Sequence, residues 1–256
     1  MKVRVANVEF DNVTMEETVA RILEWVRQPA RPALVCTGNL DHLVSLQHDP
    51  SFRAAYQEAD LVLADGMPVV WLSHLQRGTP LKERVAGSDL FWELARVSHE
   101  TGTRLFFLGG SPGSAQRATD AVYRRYPQAQ ICGVYCPPFE TFGTDEEQSH
   151  IRSLILSARP DVLLVGLGAP KQEKWIIANR EAVQVPVSVG VGGSFEMAGG
   201  VIRRAPRWMQ QTGLEWLYRL FQEPSRMWKR YVCRDLPFFL RLVLSTMSAR
   251  RNPLGR

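Results

Sequence analysis

Short apolar runs recur along the chain, and amphipathic stretches fill the gaps between them. The runs cover residues 3–8, 33–37, 61–64, 104–108, 130–134, 162–165 and 187–191. Several, such as LVLA, LFFL and VLLVG, are apolar at every position rather than at alternate ones. A strand with one wet face alternates; a strand buried on both faces does not. The runs therefore read as parallel strands covered on two sides, and the gaps read as helices. Thr14 and Glu17 form a capping box that opens a helix reaching about Gln28. Ser88 is placed to cap the next long helix, which Gly102 ends. Residues 113–126 read as a helix before Pro127. A second capping box at Thr144 and Glu147 opens one that stops before Pro160, and residues 171–182 follow Pro170 as another. This alternation predicts an α/β fold, a doubly wound and mostly parallel sheet with helices on both faces.

The pattern changes after Gly199-Gly200. Pro206, Pro224 and Pro237 divide the remainder into three short helical stretches without a strand signal. The expectation is an α/β domain over 1–200 and a helical appendage over 201–256. Charge follows the same division. Of 31 basic and 26 acidic residues, 19 and 23 fall in 1–200, whereas 12 and 3 fall in 201–256. A segment this basic asks for an anionic partner, either a membrane or nucleic acid. In its first stretch Arg207, Gln211, Glu215 and Arg219 form an i, i+4 polar stripe, with Trp208, Trp216 and Phe221 among the rest. The second stretch sets Trp228 and Tyr231 beside Arg226, Lys229, Arg230 and Arg234. Basic side chains interleaved with aromatic ones suit an anionic membrane surface. A helical subdomain packed on the body, with an exposed basic face, is the alternative.

No apolar run reaches the ~18 residues of a membrane span. The N-terminal MKVRVANVEF lacks the apolar core of a signal peptide, and the four cysteines show neither CxxC nor zinc spacing. These features predict reduced thiols, a cytoplasmic location and at most peripheral membrane attachment. With 45% apolar and 22% charged residues, disorder and coiled coil are excluded as the main class.

In a parallel sheet, ligands bind beyond the carboxyl ends of the strands. Five clusters follow such ends: TGN at 37–39, ADG at 64–66, LGG at 108–110, GLGAPKQEKW at 166–175 and VGVGGSFE at 189–196. Gly109, Gly110 and Gly113 lie between a strand and a helix, where backbone N–H groups are free to face an anion. Each cluster alone also fits a plain tight turn; several at one sheet edge point to a phosphate-bearing ligand. The spacing is neither the dinucleotide fingerprint nor a P-loop. Asp65 reads in two ways: as the N-cap of a helix from Met67, or as a base for a substrate hydroxyl. His42 lies near TGN without a nucleophile elbow. No HxxxH, HExxH or Asp-x-Asp spacing occurs, so no metal is expected. Charge on a leaving group then falls to helix N-termini and to Arg or Lys.

Together TGNLDHLV, ADGMPVVW, RVAGSDL, FFLGGSPG, GLGAPKQEKW, VGVGGSFEMAGG and the tail RRAPRWMQQTGLEWLYRLFQEPSRMWKRY resemble the WecG/TagA/CpsF family of bacterial glycosyltransferases, glycosyltransferase family 26. The resemblance runs from about residue 4 to 245. It implies a Rossmann-like α/β domain of the GT-E type. It also implies inverting, metal-free transfer from a UDP-sugar to a polyprenyl-diphosphate-linked sugar, feeding cell-surface polysaccharide. A basic C-terminal appendage brings such enzymes to the cytoplasmic membrane face and helps complete the site. Carried over, Asp65 matches the family's proposed general base, Thr37 and Asn39 the polar pair beside it, and Arg84 an active-site arginine. Gln172 and Glu173 sit in P-x-Q-E-x-W, which opens at Pro170 and lines the nucleotide site. Gly109, Gly110, Gly193 and Glu196 complete the expected donor side. Arg207, Arg219, Arg226 and Arg230 are candidates for the diphosphate, and Trp216 and Trp228 for the membrane. The family often reads F-D where this chain has Phe195-Glu196. Donors in the family include N-acetylmannosamine, its uronic acid and neutral hexoses.

Two other classes fit less well. A nicotinamide-linked oxidoreductase would want G-x-G-x-x-G after the first strand, which here runs into EFDNVTMEE. A nucleic-acid-binding module would want a recognisable motif and a basic body, and the body is acidic. The apolar faces of the tail are compatible with a homo-oligomer.

Overall fold

A computed structural model describes residues 1–251, without the side chains of residues 207, 211, 226 and 249–251. Strands β1 (Lys2–Val5) and β2 (Val8–Asp11) form an antiparallel hairpin in which Val5 pairs with Val8. A single strand over 3–8 was expected. The chain instead reverses at Ala6-Asn7, with Ala6 in the left-handed region at φ 53°. No glycine or proline marks that turn, so the apolar pattern runs straight through it. The hairpin has a use: the Asp11 carboxylate accepts the N–H of Val62 at 3.0 Å. That bond blunts the outer edge of the main sheet.

The main sheet has six strands. They are β3 (Ala33–Gly38), β4 (Leu61–Ala64), β5 (Arg104–Gly109), β6 (Gln130–Tyr135), β7 (Val162–Gly166) and β8 (Val187–Gly190). All pair in parallel, in the order β4-β3-β8-β7-β5-β6. Every carboxyl end therefore reaches the same edge. The helices are α1 (Met15–Arg27), α2 (Leu40–His48), α3 (Pro50–Gln57), α4 (Met67–Leu75), α5 (Gly87–Thr101), α6 (Ser114–Arg125), α7 (Asp145–Ala158), α8 (Lys171–Val183) and the short α9 (Ser194–Ala198). Alternate strand residues feed two cores. Leu34, Cys36, Phe106, Leu108, Leu163 and Val165 pack on one face. Val35, Leu105, Phe107, Leu164 and Val189 pack on the other. This two-sided burial is why the strands are apolar throughout.

The helix signals hold with two exceptions. The Thr14–Glu17 capping box is complete, and Gly102 ends α5 at φ 76°. At Thr144 only half of the box forms, because Glu147 accepts the Tyr135 hydroxyl at 2.8 Å instead. Ser88 caps nothing: α5 begins at Gly87, with Ala86 as a cap that lends no side chain. A Cβ on Gly87 would lie 3.2 Å from the Thr37 hydroxyl, so this helix end is set by its close approach to β3.

The tail folds as α10 (Arg207–Gln211), α11 (Glu215–Gln222), α12 (Pro224–Trp228), a π-helical segment over Lys229–Asp235, and α13 (Leu236–Arg251). The polar stripe from Arg207 to Arg219 is thus broken. The Leu214 N–H bonds Met209 O at 2.7 Å, the Gly213 N–H bonds Gln210 O at 3.3 Å, and Gly213 has φ 74°. That is a Schellman turn, for which glycine is the preferred residue. Pro237 does not end a helix either. In a regular α-helix its ring would clash with the carbonyl one turn back. The wider π turn immediately before it relieves the clash. Helix α13 then lays Phe238, Phe239, Leu242 and Val243 against the first core. Among the described residues, no helix is long and apolar enough to cross a membrane.

Candidate active site

A cleft of about 1590 Å³ runs along the carboxyl edge of the sheet. Strand-end loops form its floor and walls. The tail, through residues such as Trp216, Arg219, Arg230 and Tyr231, forms its other side.

Asp65, Thr37, Asn39 and Arg84 all line this cleft. Asp65 is not a helix cap: α4 is capped at Gly66, which has φ 133°, and makes no side-chain cap bond. Burial raises the Asp65 carboxyl to about 6. Arg84 and the Gly87 N–H pull it down, while the negative charges of Glu215 and Asp89 push it up. Near pH 7 it is an ionised carboxylate with appreciable basicity, as a general base requires. Thr37 donates its hydroxyl to Gly190 O at 2.7 Å, joining the ends of β3 and β8. Asn39 caps α2, its Oδ1 accepting the His42 N–H at 3.1 Å. That bond leaves the Asn39 amide nitrogen for a ligand. Arg84 bonds Asp89 at 2.9 Å and Glu215 at 3.2 Å, and its side chain is only 14% exposed.

The glycine loop after β5 differs from the expectation. Gly109 does not line the cleft; a Cβ there would lie 2.9 Å from the Gly166 backbone, so it serves a close strand approach. Gly110 does line it, but its N–H bonds Gly166 O at 2.8 Å. The Ser111 N–H is taken by Glu196 Oε1 at 2.6 Å. Two of the loop's N–H groups are therefore not free for an outside anion; the protein's own carboxylate occupies one.

The P-x-Q-E-x-W residues also divide. Pro170 caps α8 and lies outside the cleft lining, between Ala169 and Lys171, which do line it. Gln172 lines the cleft and accepts the Gly192 N–H at 3.0 Å. Glu173 is fully buried beneath it, accepts Gln172 Nε2 at 2.8 Å, and is pushed up to about 7 by burial. A neighbour of Gln172 in sequence, Glu173 thus holds the Gln172 amide from below and does not line the cleft. Gly193 and Glu196 line the cleft, and Glu196 Oε2 is buried without a hydrogen-bond partner.

From the tail, Arg219, Arg230 and Trp216 reach the cleft, whereas Trp228 is 55% exposed and outside its lining. A Cβ on Gly193 would lie 3.8 Å from the Arg219 guanidinium, which makes no ion pair with a described residue. Arg230 bonds Asp41 at 3.0 Å and sits over the Tyr231 ring. The side chains of Arg207 and Arg226 lie outside the described residues. Trp71 and Lys171 line the cleft as well and were not singled out from sequence, and Tyr231, read there only as a membrane-suited aromatic, lines it too. Lys171 follows Pro170 directly, and a cation in the first turn after a strand end is the signal that could have found it. Glu215 was read only as one member of a polar stripe.

The profile of the Glycosyl transferase WecG/TagA/CpsF family matches residues 3–252. A protein of Bacillus spizizenii is 33% identical over 97% of this chain and 93% of its own length. One of Bacillus subtilis strain 168 is 33% identical over 83% of this chain and 79% of its own. One of Staphylococcus aureus strain MW2 is 29% identical over 93% and 91%. Each is named an N-acetylglucosaminyldiphosphoundecaprenol N-acetyl-beta-D-mannosaminyltransferase. The parallel sheet with its cleft at the carboxyl edge, and a match over almost the full length, establish that this chain belongs to the WecG/TagA/CpsF family of glycosyltransferases.

Proposed function

We propose that the protein transfers N-acetylmannosamine from its UDP derivative to N-acetylglucosamine carried on a polyprenyl diphosphate, with inversion and without a metal ion. The names of the relatives support the sugar and the acceptor. The observation that carries the chemistry is Asp65, a carboxyl raised to about 6 in a cleft larger than one ligand needs. Small-molecule pockets usually span about 300–1,000 Å³, so about 1590 Å³ has room for a nucleotide sugar and an acceptor head together.

Asp65 takes the proton of an acceptor hydroxyl as that oxygen attacks the anomeric carbon. The bond from that carbon to the diphosphate oxygen breaks on the opposite face, and its electron pair leaves with UDP. Charge developing on the diphosphate is met by Arg219 beside Gly193, and Arg84 acts near the base.

A peripheral membrane position at the inner face suits a lipid-linked acceptor. Leu236, Leu240, Leu244 and Met247 form an exposed apolar stripe on α13, and Trp208, Phe221 and Trp228 are exposed on the preceding helices. With the basic excess of the tail, they suit an anionic bilayer surface.

Asp65→Asn tests the reading. General base catalysis is worth typically ~10²–10⁴-fold, so turnover falls by that factor while UDP binding is retained. Near-normal turnover would remove Asp65 from this role.

A further inference from the structure

Arg84 is shared between two parts of the chain that are far apart in sequence. One edge of its guanidinium bonds Asp89 of the body at 2.9 Å. The other bonds Glu215 of the tail at 3.2 Å. Both contacts stand next to Asp65, whose strongest charge interaction is with Arg84 itself.

The position of Glu215 is set with care by the backbone. The Schellman turn that ends α10 rests on α4, the helix that starts two residues after Asp65. At Gly213 a Cβ would lie 2.4 Å from two ring atoms of Trp71 and 2.9 Å from Met67 Cβ. Only glycine fits so close, and its φ of 74° suits glycine too. Glu215 follows two residues later as the first residue of α11. The tail is therefore registered against the element that carries the base, and Glu215 is the charge delivered by that registration.

We propose that Glu215 is a positioning residue for transfer: it holds one edge of Arg84 while Asp89 holds the other, which keeps Arg84 from closing onto Asp65 and leaves that carboxylate free to take the acceptor's proton. The physical reason is that a guanidinium only 14% exposed does not stay half paired. Without Glu215, Asp65 is a carboxylate that already interacts electrostatically with Arg84. The other groups around Asp65 do not substitute for this. Asp89 is already divided between Arg84 and Arg204, the latter at 2.6 Å. Tyr56, on the α3 side, is buried and stays protonated. Thr37 and the Gly87 N–H are uncharged. Glu215 itself raises the Asp65 carboxyl, in the same sense as the geometry.

The inference rests on Asp65 as the base, and the test separates the two. The pH dependence of kcat is measured with saturating donor for wild type, Glu215→Gln, Glu215→Asp and Asp65→Asn. In Glu215→Gln the acid limb moves about one to two pH units lower, the shift expected when a carboxylate gains a cationic neighbour. Turnover at pH 8 falls about tenfold, as a weaker base transfers the proton less well. KM for the donor and UDP affinity stay at the wild-type values, which also reports an intact fold. Glu215→Asp restores the limb toward its wild-type position. A merely structural role would lower activity without moving the limb. An unmoved limb in Glu215→Gln, with Asp65→Asn inactive, overturns the inference and leaves the base in place. An active Asp65→Asn overturns the base assignment and the Glu215 role with it.

Discussion

Asp65 and His42 line the same cleft, and their surroundings separate their chemistry. His42 is buried, bonds the Tyr56 hydroxyl through Nδ1 at 2.6 Å, and is pushed down to about 3 by burial and by Arg230. It stays neutral across the physiological range. Asp65 is raised to about 6. A base works in its deprotonated form, so activity rises with pH through that value. The pH–rate profile therefore carries an acid limb near 6 that belongs to a carboxylate, although an unperturbed histidine titrates nearby. A profile whose limb disappeared in His42→Gln, with the protein still folded, would contradict this. Much of the residue-level site was legible because Thr37 lies near the end of β3 while Asn39 and Asp65 directly follow β3 and β4, and strand ends are where such sheets bind ligands. The glycine loop was legible in place but not in use. Spacing shows that Gly110 and Ser111 follow a strand; it does not show that Gly166 O and Glu196 take their N–H groups. Glu173 was misplaced for a similar reason. Adjacent helix residues point about 100° apart, so Gln172 faces the cleft while Glu173 faces the core.

At the scale of elements, the tail is fastened by charge as well as by apolar contact. Arg230 and Arg234, both on the π-helical segment, converge on Asp41 at the start of α2. Asp41 is largely buried and Arg234 nearly half exposed, so the pairing falls between the surface and buried extremes. Its loss costs about 1–2 kcal/mol. Asp41→Asn therefore speeds amide hydrogen exchange over residues 229–235 by about tenfold, while exchange in the central strands is unchanged. Equal exchange in the variant would show that the apolar contacts of α13 alone hold the segment. The six strands of the main sheet were readable because two-sided burial writes itself as unbroken apolar runs. Two features were not. The β1–β2 hairpin turns at Ala6-Asn7 without a turn-forming glycine or proline. Pro237 reads as a helix stop, yet the π turn ahead of it lets the helix continue.

At the scale of the whole molecule, the cleft is complete only with the tail. The sheet edge supplies Asp65, Asn39 and Arg84, and the tail supplies Glu215, Arg219 and Arg230. The same tail carries the exposed stripe of Leu236, Leu240 and Leu244. One segment thus joins the surface suited to a bilayer with charged groups that line the cleft. The most direct test of this account is a transfer assay on the full chain. The protein is incubated with UDP-N-acetylmannosamine and a polyprenyl-diphosphate-N-acetylglucosamine acceptor in anionic vesicles, with EDTA present, beside a panel of other UDP-sugars. The account predicts a lipid product lengthened by one N-acetylmannosamine in the presence of chelator. UDP binding without any product from that donor would contradict the assigned sugar, and product that vanished with EDTA would contradict the metal-free mechanism.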